Sequence, residues 1–306
     1  MALSRRAILG GVSAATAGLL FGRPDLAAAT TAEATRTIPT TGTRVPVVGL
    51  GSWITFNVGD DPVLLEQCAE VIAAFAGEGG GMIDSSPMYG SSQDTIGHGL
   101  ERLADPSPIF SADKVWTSAP EEAPEQIDRT AEKWGISTFD LLQVHNLRAW
   151  DAHLDHLLAM KKEGRLGHVG VTTSHGRRHD ELERSMREQP LDFVQLTYNA
   201  LDREAEARLL PLAQDRGIGV IVNRPYRRGA LIDRFEGEPL PGWAAEIDAQ
   251  SWAQVLLKFV VSHPAVTVAI PATRQVAHLR ENKAAARGPL PDATLRRRMA
   301  ADLSRL

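Results

Sequence analysis

The run Met82-Ile83-Asp84-Ser85-Ser86-Pro87-Met88-Tyr89-Gly90 opens on apolar residues, breaks at an acid and closes on a tyrosine beside a glycine. A short apolar run bounded by Gly and Pro reads as a buried strand, and the acid marks where it leaves the core. Two later runs end alike, Ile109-Phe110-Ser111-Ala112-Asp113-Lys114 on a lysine and Asp140-Leu141-Leu142-Gln143-Val144-His145-Asn146 on a histidine. Working outward, strands are predicted at 46–51, 81–85, 109–115, 140–145, 168–173, 192–198, 218–224 and 266–271. Helical patterns alternate with them near 62–76, 92–104, 123–134, 152–163, 178–188, 202–215, 249–262 and 275–286. Repeated βα units with no linker or break in composition predict the α/β class and a single (β/α)₈ TIM barrel. A hairpin from Thr37 to Val45, turning at Thr41-Gly42, is expected to close the barrel floor. A doubly wound sheet is the rival, but Gly49-Leu50-Gly51-Ser52-Trp53 lacks the third glycine of a dinucleotide fingerprint and the helix entry.

In a barrel, residues at the C-terminal strand ends share one face, so Asp84, Tyr89, Lys114 and His145 are expected to meet. Tyrosine is a weak acid, with an ordinary pKa near ~10. A neighbouring ammonium is expected to lower that value, and a carboxylate keeps the ammonium charged and in place. The imidazole can polarise or orient a substrate oxygen. Such a set suits reduction of a carbonyl, in which a proton must reach the oxygen as hydride reaches the carbon. Alone, Asp84 would read as a turn cap, His145 as a satisfied buried histidine and Tyr89 as a packed ring. Their joint placement favours a site. A slipped register would put Ala119 of Thr117-Ser118-Ala119 at the lysine position and leave the phenol without its cation.

The order Asp, Tyr, Lys, His resembles the catalytic tetrad of the aldo-keto reductase superfamily. Asp84 and Tyr89 fall in a D-x-x-x-x-Y-G pattern, His145 in D-L-x-x-x-H, and Val48-Gly49-Leu50-Gly51-Ser52-Trp53 is similar to that family's first-strand segment. Where the family usually shows Thr-Lys, this chain has Asp113-Lys114. The resemblance implies NADP(H) as cofactor and an aldehyde or ketone, or the corresponding alcohol, as substrate. It implies that Gln195 and Thr172 face the nicotinamide amide, with Thr172-Thr173 in place of the usual Ser-Asn, and that Asn223 replaces an aromatic ring at the stacking position. Tyr226 is a further candidate without an assigned role. Thr273 and Arg274 are implied to face a 2'-phosphate, and Glu281 and Asn282 the adenine. The family's lysine is absent at Ala272, and His278 stands where arginine is common. Arg227 and Arg228 can follow a pyrophosphate through charge-assisted bonds, or form a solvated basic turn.

Trp53, Met88, Trp116 and Trp150, with Phe56, lie on strand-end loops where they can line a substrate pocket or simply pack. The short Asn146–Asp151 connection predicts an open pocket. His153 and His156 beside Asp151 and Asp155 are read as a polar outer helix face, and no metal is expected. Lone Cys68 reads as a small buried residue. With 306 residues, 43% hydrophobic, and a formal charge of −5 without basic blocks, the chain has material for a large core and little reason to bind nucleic acid.

The N-terminus differs from the rest. Ser4-Arg5-Arg6 precedes an Ala/Gly/Leu-rich stretch to Phe21 and then Ala27-Ala28-Ala29, the pattern of a twin-arginine (Tat) export signal over residues 1–29 with an A-x-A cleavage site. The expected partners are therefore the Tat machinery and a small carbonyl compound, and the expected location is periplasmic or extracellular. A non-catalytic nucleotide-sensing or interaction protein on the same barrel is the second expectation, motivated by Asn223, Thr173 and Asp113. A lyase or isomerase on a barrel is the third, since fold alone does not fix chemistry.

Overall fold

The computed structural model describes residues 32–306, and the export-signal reading falls outside them. Eight parallel strands run in order around one sheet: β3 (Leu50–Gly51), β4 (Gly81–Asp84), β5 (Ile109–Val115), β6 (Phe139–Val144), β7 (Leu166–Thr172), β8 (Phe193–Thr197), β9 (Gly219–Asn223) and β10 (Val266–Ala269). The sheet closes between its ends. Gly49 N–H donates to Ala269 O (2.8 Å), Gly51 N–H to Pro271 O (3.0 Å), and Ala269 N–H to Val47 O (2.9 Å). Both glycines are required here by close approach, since a Cβ on either would lie 2.6 Å from a carbonyl oxygen, of Met82 for Gly49 and of Ile270 for Gly51.

Helices alternate with the strands as the apolar periodicity demands: α1 (Pro62–Gly77), α2 (Ser92–Leu100), α3 (Ala123–Trp134), α4 (Trp150–Lys162), α5 (His179–Glu188) and α6 (Leu209–Arg216). After β9 come α7 (Ala230–Phe235) and α8 (Trp252–Val261), and after β10 come α9 (Val276–Ala284) and α10 (Ala293–Leu303). Local chemistry sets several ends. Asp61 caps α1 through Val63 and Leu64 N–H with Pro62 at its first position, and Gly135 and Gly217 end α3 and α6 in left-handed backbone.

Parallel strands covered on both faces alternate their side chains between two apolar environments. Ile83, Leu142, Val144, Val169, Val171, Val194, Val220 and Val222 point outward into the helices. Met82, Ala112, Leu141, Phe193, Ile221 and Val268 point inward and form a second apolar cluster with Ile38 and Val45. Those last two belong to an antiparallel pair, β1 (Thr35–Thr37) and β2 (Arg44–Pro46). The hairpin plugs the barrel floor, and Thr41 Oγ1 reaches His168 Nε2 (3.2 Å). Continuing the inward parity by two residues along each strand brings Asp84, Lys114, Gln143, Gln195 and Asn223 to the layer above this cluster. The apolar floor thus fixes a polar ceiling.

Three elements differ from expectation. The helix predicted from 202 starts only at Leu209, because Asn199 Oδ1 accepts from Leu201 and Asp202 N–H and holds a turn there. Helix α7 lies in the long connection after β9, where Gly and Pro mask its short pattern. Helix α10 is pinned by tertiary contacts of the buried Arg296 to Phe259 O, Ser262 Oγ (2.6 Å) and the Tyr198 hydroxyl. Among the described residues no helix is long and apolar enough to cross a membrane.

Candidate active site

At the ceiling, Lys114 Nζ donates to Asp84 Oδ2 and to Ser85 O, each at 2.6 Å. The remaining carboxylate oxygen of Asp84 accepts from Gln143 Nε2 (3.1 Å) and Gln195 Nε2 (2.9 Å). Ala119 is not the residue facing Asp84; Lys114 on β5 is. The half-buried Tyr89 stands beside the pair, with Lys114 Nζ 5.2 Å from its ring centroid, and meets His145 edge-on with centroids 5.5 Å apart. Ser86 Oγ lies 2.6 Å from His145 Nδ1.

Burial decides the charge states. It pushes the Tyr89 phenol up to about 12, and Lys114 only partly offsets it. The expected lowering below the ordinary tyrosine value is therefore corrected, because loss of solvent outweighs the neighbouring cation. Tyr89 rests as a protonated donor. Burial alone would lower the Lys114 ammonium, but Asp84, the Tyr89 oxygen and Asp113 together hold it above its ordinary value. His145 is pushed down to about 2 by burial, Lys114 and Arg148, so its imidazole is neutral.

Asp113 lies behind the site, fully buried, where its carboxylate accepts from Gln93 Nε2 (3.0 Å), Trp134 Nε1 (2.9 Å) and its neighbour's N–H, that of Lys114 (2.6 Å). Burial raises it to about 7 against these bonds. Because the folded protein then holds a proton that the unfolded chain releases near pH ~4, Asp113 makes stability fall as pH rises from about 4 to 7. The expected result is that the midpoint of urea unfolding falls across this window more steeply in the parent than in Asp113→Asn. Equal slopes would show that the group does not titrate there.

Above this layer opens a cleft of about 770 Å³. Asp84, Tyr89, His145, Gln195, Thr172, Asn223, Arg228, Thr273, Glu281 and Asn282 line it, as do Trp53 and Met88. Lys114 lies beneath rather than on the wall. Trp116 and Trp150 do not line the cleft: Trp116 is covered by Arg148, and Trp150 packs in the outer core with its N–H on Glu181 Oε1 (3.0 Å). Phe56 is likewise outer core. Arg227 is bound by Asp202 and does not face the cleft, and Arg274 is exposed beyond its wall.

Several polar groups expected to be free are already engaged. Asn223 Oδ1 accepts from Thr197 Oγ1 (2.7 Å), and its amide donates to Thr173 O (2.8 Å) and Gln195 Oε1 (3.3 Å), so Gln195 is held at both ends. Thr172 Oγ1 accepts from Asn146 N–H (2.9 Å), and Asn282 Oδ1 from the Tyr226 hydroxyl (2.7 Å). His153, expected on an outer face, is buried with Nε2 against Thr117 O (2.9 Å). Among the described residues no three His, Cys, Asp or Glu side chains gather as a metal site.

Arg228 and the Thr172-Thr173 pair were already candidates in the sequence, whereas Arg177 and Arg224 were missed. Thr173 Oγ1 is buried on the cleft wall without a hydrogen-bond partner, and Arg177, Arg224 and Arg228 line the cleft without forming a salt bridge among the described residues. Arg224 donates to His175 Nε2 (2.6 Å), while Arg228 lies 4.0 Å from the Trp53 ring centroid across the cleft. Strand parity alone would have found Gln143, two residues from His145. The unpaired arginines needed the fold, since only tertiary contact shows that Asp202 takes Arg227.

A sequence profile of the aldo/keto reductase family matches residues 47–301. The chain belongs to the aldo/keto reductase family. This aldo/keto reductase is 26% identical over 253 residues to an uncharacterized oxidoreductase of Schizosaccharomyces pombe, covering 78% of each chain. It is 25% identical to the aldo-keto reductase YhdN of Bacillus subtilis over 231 residues, 66% of this chain and 67% of that one. Its fold is similar to an aldo/keto reductase from Klebsiella pneumoniae solved with NADP and acetate, with a TM-score of 0.71, 20% identity, and coverage of 86% of this aldo/keto reductase and 92% of that chain.

Backbone strain is concentrated around the site of this aldo/keto reductase. Ten non-glycine residues among those described have positive φ, and nine of them (Ile54, Asn146, Leu147, Ala149, His175, Arg178, Arg224, Arg227 and Arg228) lie on loops leaving the C-terminal strand ends.

Proposed function

We propose that this chain is an NADP(H)-dependent oxidoreductase that reduces an aldehyde or ketone, or oxidises the corresponding alcohol, with Tyr89 as proton donor. The observation that carries this reading is the buried Asp84–Lys114 pair placed against a neutral tyrosine and a neutral histidine at the base of the cleft. The cofactor fits the residues present. Thr173 Oγ1 is an unpartnered buried hydroxyl where an amide can bind, and unpaired guanidinium groups suit phosphates. Bound NADPH supplies hydride to the carbonyl carbon. Tyr89 gives its proton to the carbonyl oxygen, and the Lys114 ammonium stabilises the phenolate left behind. Asp84 keeps that ammonium charged, and His145 orients the oxygen. The test is a fluorescence titration with NADPH followed by its carbonyl-dependent oxidation over a panel of aldehydes and ketones. Binding without any turnover would support the nucleotide-sensing reading instead.

Two arginines separate the parts of the nucleotide. Arg228→Ala is expected to weaken NADPH and NADH alike by about one to two decades, the scale of a charge-assisted contact to a shared pyrophosphate. Arg274→Ala is expected to weaken NADPH more than NADH, the signature of a 2'-phosphate partner. Equal losses in Arg274→Ala would remove it from that role.

Residues 1–29 are proposed as a twin-arginine signal directing the folded chain out of the cytoplasm. Replacing Arg5 and Arg6 together by Lys is expected to leave the protein inside the cell. Unchanged export would reject the signal.

A further inference from the structure

Ser86 stands two residues past Asp84, fully buried, with its Oγ 2.6 Å from His145 Nδ1 and accepting the Met88 N–H at 3.2 Å. A hydroxyl has one proton and two lone pairs, and a neutral imidazole has one N–H and one bare nitrogen. Two arrangements are therefore conceivable. If Nδ1 carried the ring proton, Ser86 Oγ would accept from both Nδ1 and Met88, and its own proton would be buried with no acceptor among the described residues. A buried donor without a partner is the more costly state. If Nδ1 is bare, the hydroxyl proton goes to Nδ1, Met88 fills a lone pair, and every atom of the set is satisfied. The ring proton then sits on Nε2, which makes no hydrogen bond within the described protein, on a residue that lines the cleft.

We infer that Ser86 is a positioning residue that fixes His145 as the Nε2–H tautomer, so that the imidazole offers a donor rather than an acceptor to the ligand oxygen. Burial, Lys114 and Arg148 keep the ring uncharged, which leaves the tautomer as its remaining freedom. The role in turnover rests on the carbonyl-reduction reading above. The tautomer itself does not. Tyr89, edge-on to the same imidazole, lines the cleft with it, so each residue then offers a donor there, which favours an acceptor oxygen such as a carbonyl.

The test is nitrogen NMR of the ring of His145 in the folded protein labelled at histidine, with Ser86→Ala and Ser86→Thr as variants and His145→Gln to assign the signal. The parent and Ser86→Thr are expected to show a protonated Nε2 and a bare Nδ1, and Ser86→Ala a mixture of tautomers. Ser86→Ala is also expected to lower kcat for carbonyl reduction roughly tenfold, the scale of one neutral hydrogen bond, with NADPH affinity unchanged and activity restored in Ser86→Thr. A protonated Nδ1 in the parent would overturn the inference, whatever the variants do. So would a pure Nε2–H tautomer persisting in Ser86→Ala. The expected spectra in a protein that reduces no carbonyl would sink the proposed activity and leave the tautomer assignment standing.

Discussion

Tyr89→Phe is expected to lower carbonyl reduction by about 10²- to 10⁴-fold, the usual contribution of general acid catalysis, while NADPH affinity stays nearly constant. The ring is retained, so its edge contact with His145 and its place beside Lys114 survive. What is lost is the phenolic proton, which burial holds in place up to about pH 12. Single-turnover rates with saturating NADPH measure this loss directly. A variant as fast as the parent would show that the proton comes from elsewhere and would displace Tyr89 from the mechanism.

Lys114→Met is expected to do comparable damage to turnover and, unlike Tyr89→Phe, to lower stability by about 3 to 5 kcal/mol. The reason is the buried Asp84 carboxylate. Once the ammonium is gone, Gln143 and Gln195 are its remaining partners, and neutral amides do not balance the charge of a buried carboxylate. The double variant Asp84→Asn/Lys114→Met removes both charges and is expected to recover much of the stability but none of the activity. Chemical denaturation and kinetics on the three proteins separate the two effects. Full activity in Lys114→Met would remove the cation from the mechanism, and no stability gain in the double variant would mean that Asp84 is not the source of the loss.

Much of the site was legible because β-strand parity is strict. Met82 points inward, so Asp84 does too, and the same two-residue step carries Leu141 to Gln143 and Phe193 to Gln195. What stayed hidden depends on distant pairings. Nothing local says that Asp202 takes Arg227 while Arg228 reaches Trp53. The phenol's acidity was misjudged for a related reason: sequence reveals which charges come near Tyr89 but not how far the fold buries its hydroxyl. Helix α10 was missed because its anchor, Arg296, is a charged residue that the fold buries against carbonyl and hydroxyl oxygens.

The left-handed residues at the cleft bear on how this protein can change. At Ile54 or His175, both exposed on the cleft wall, glycine would adopt the existing backbone without the steric penalty that the present side chain carries. The relief offsets part of the conformational entropy that glycine adds to the unfolded chain. Loop sequences at the mouth are thus free to drift at small net cost, whereas Gly49 and Gly51 tolerate no side chain at all. Evolvability is unevenly distributed in this molecule: the seam that closes the barrel is locked, and the rim that meets the ligand is open to revision.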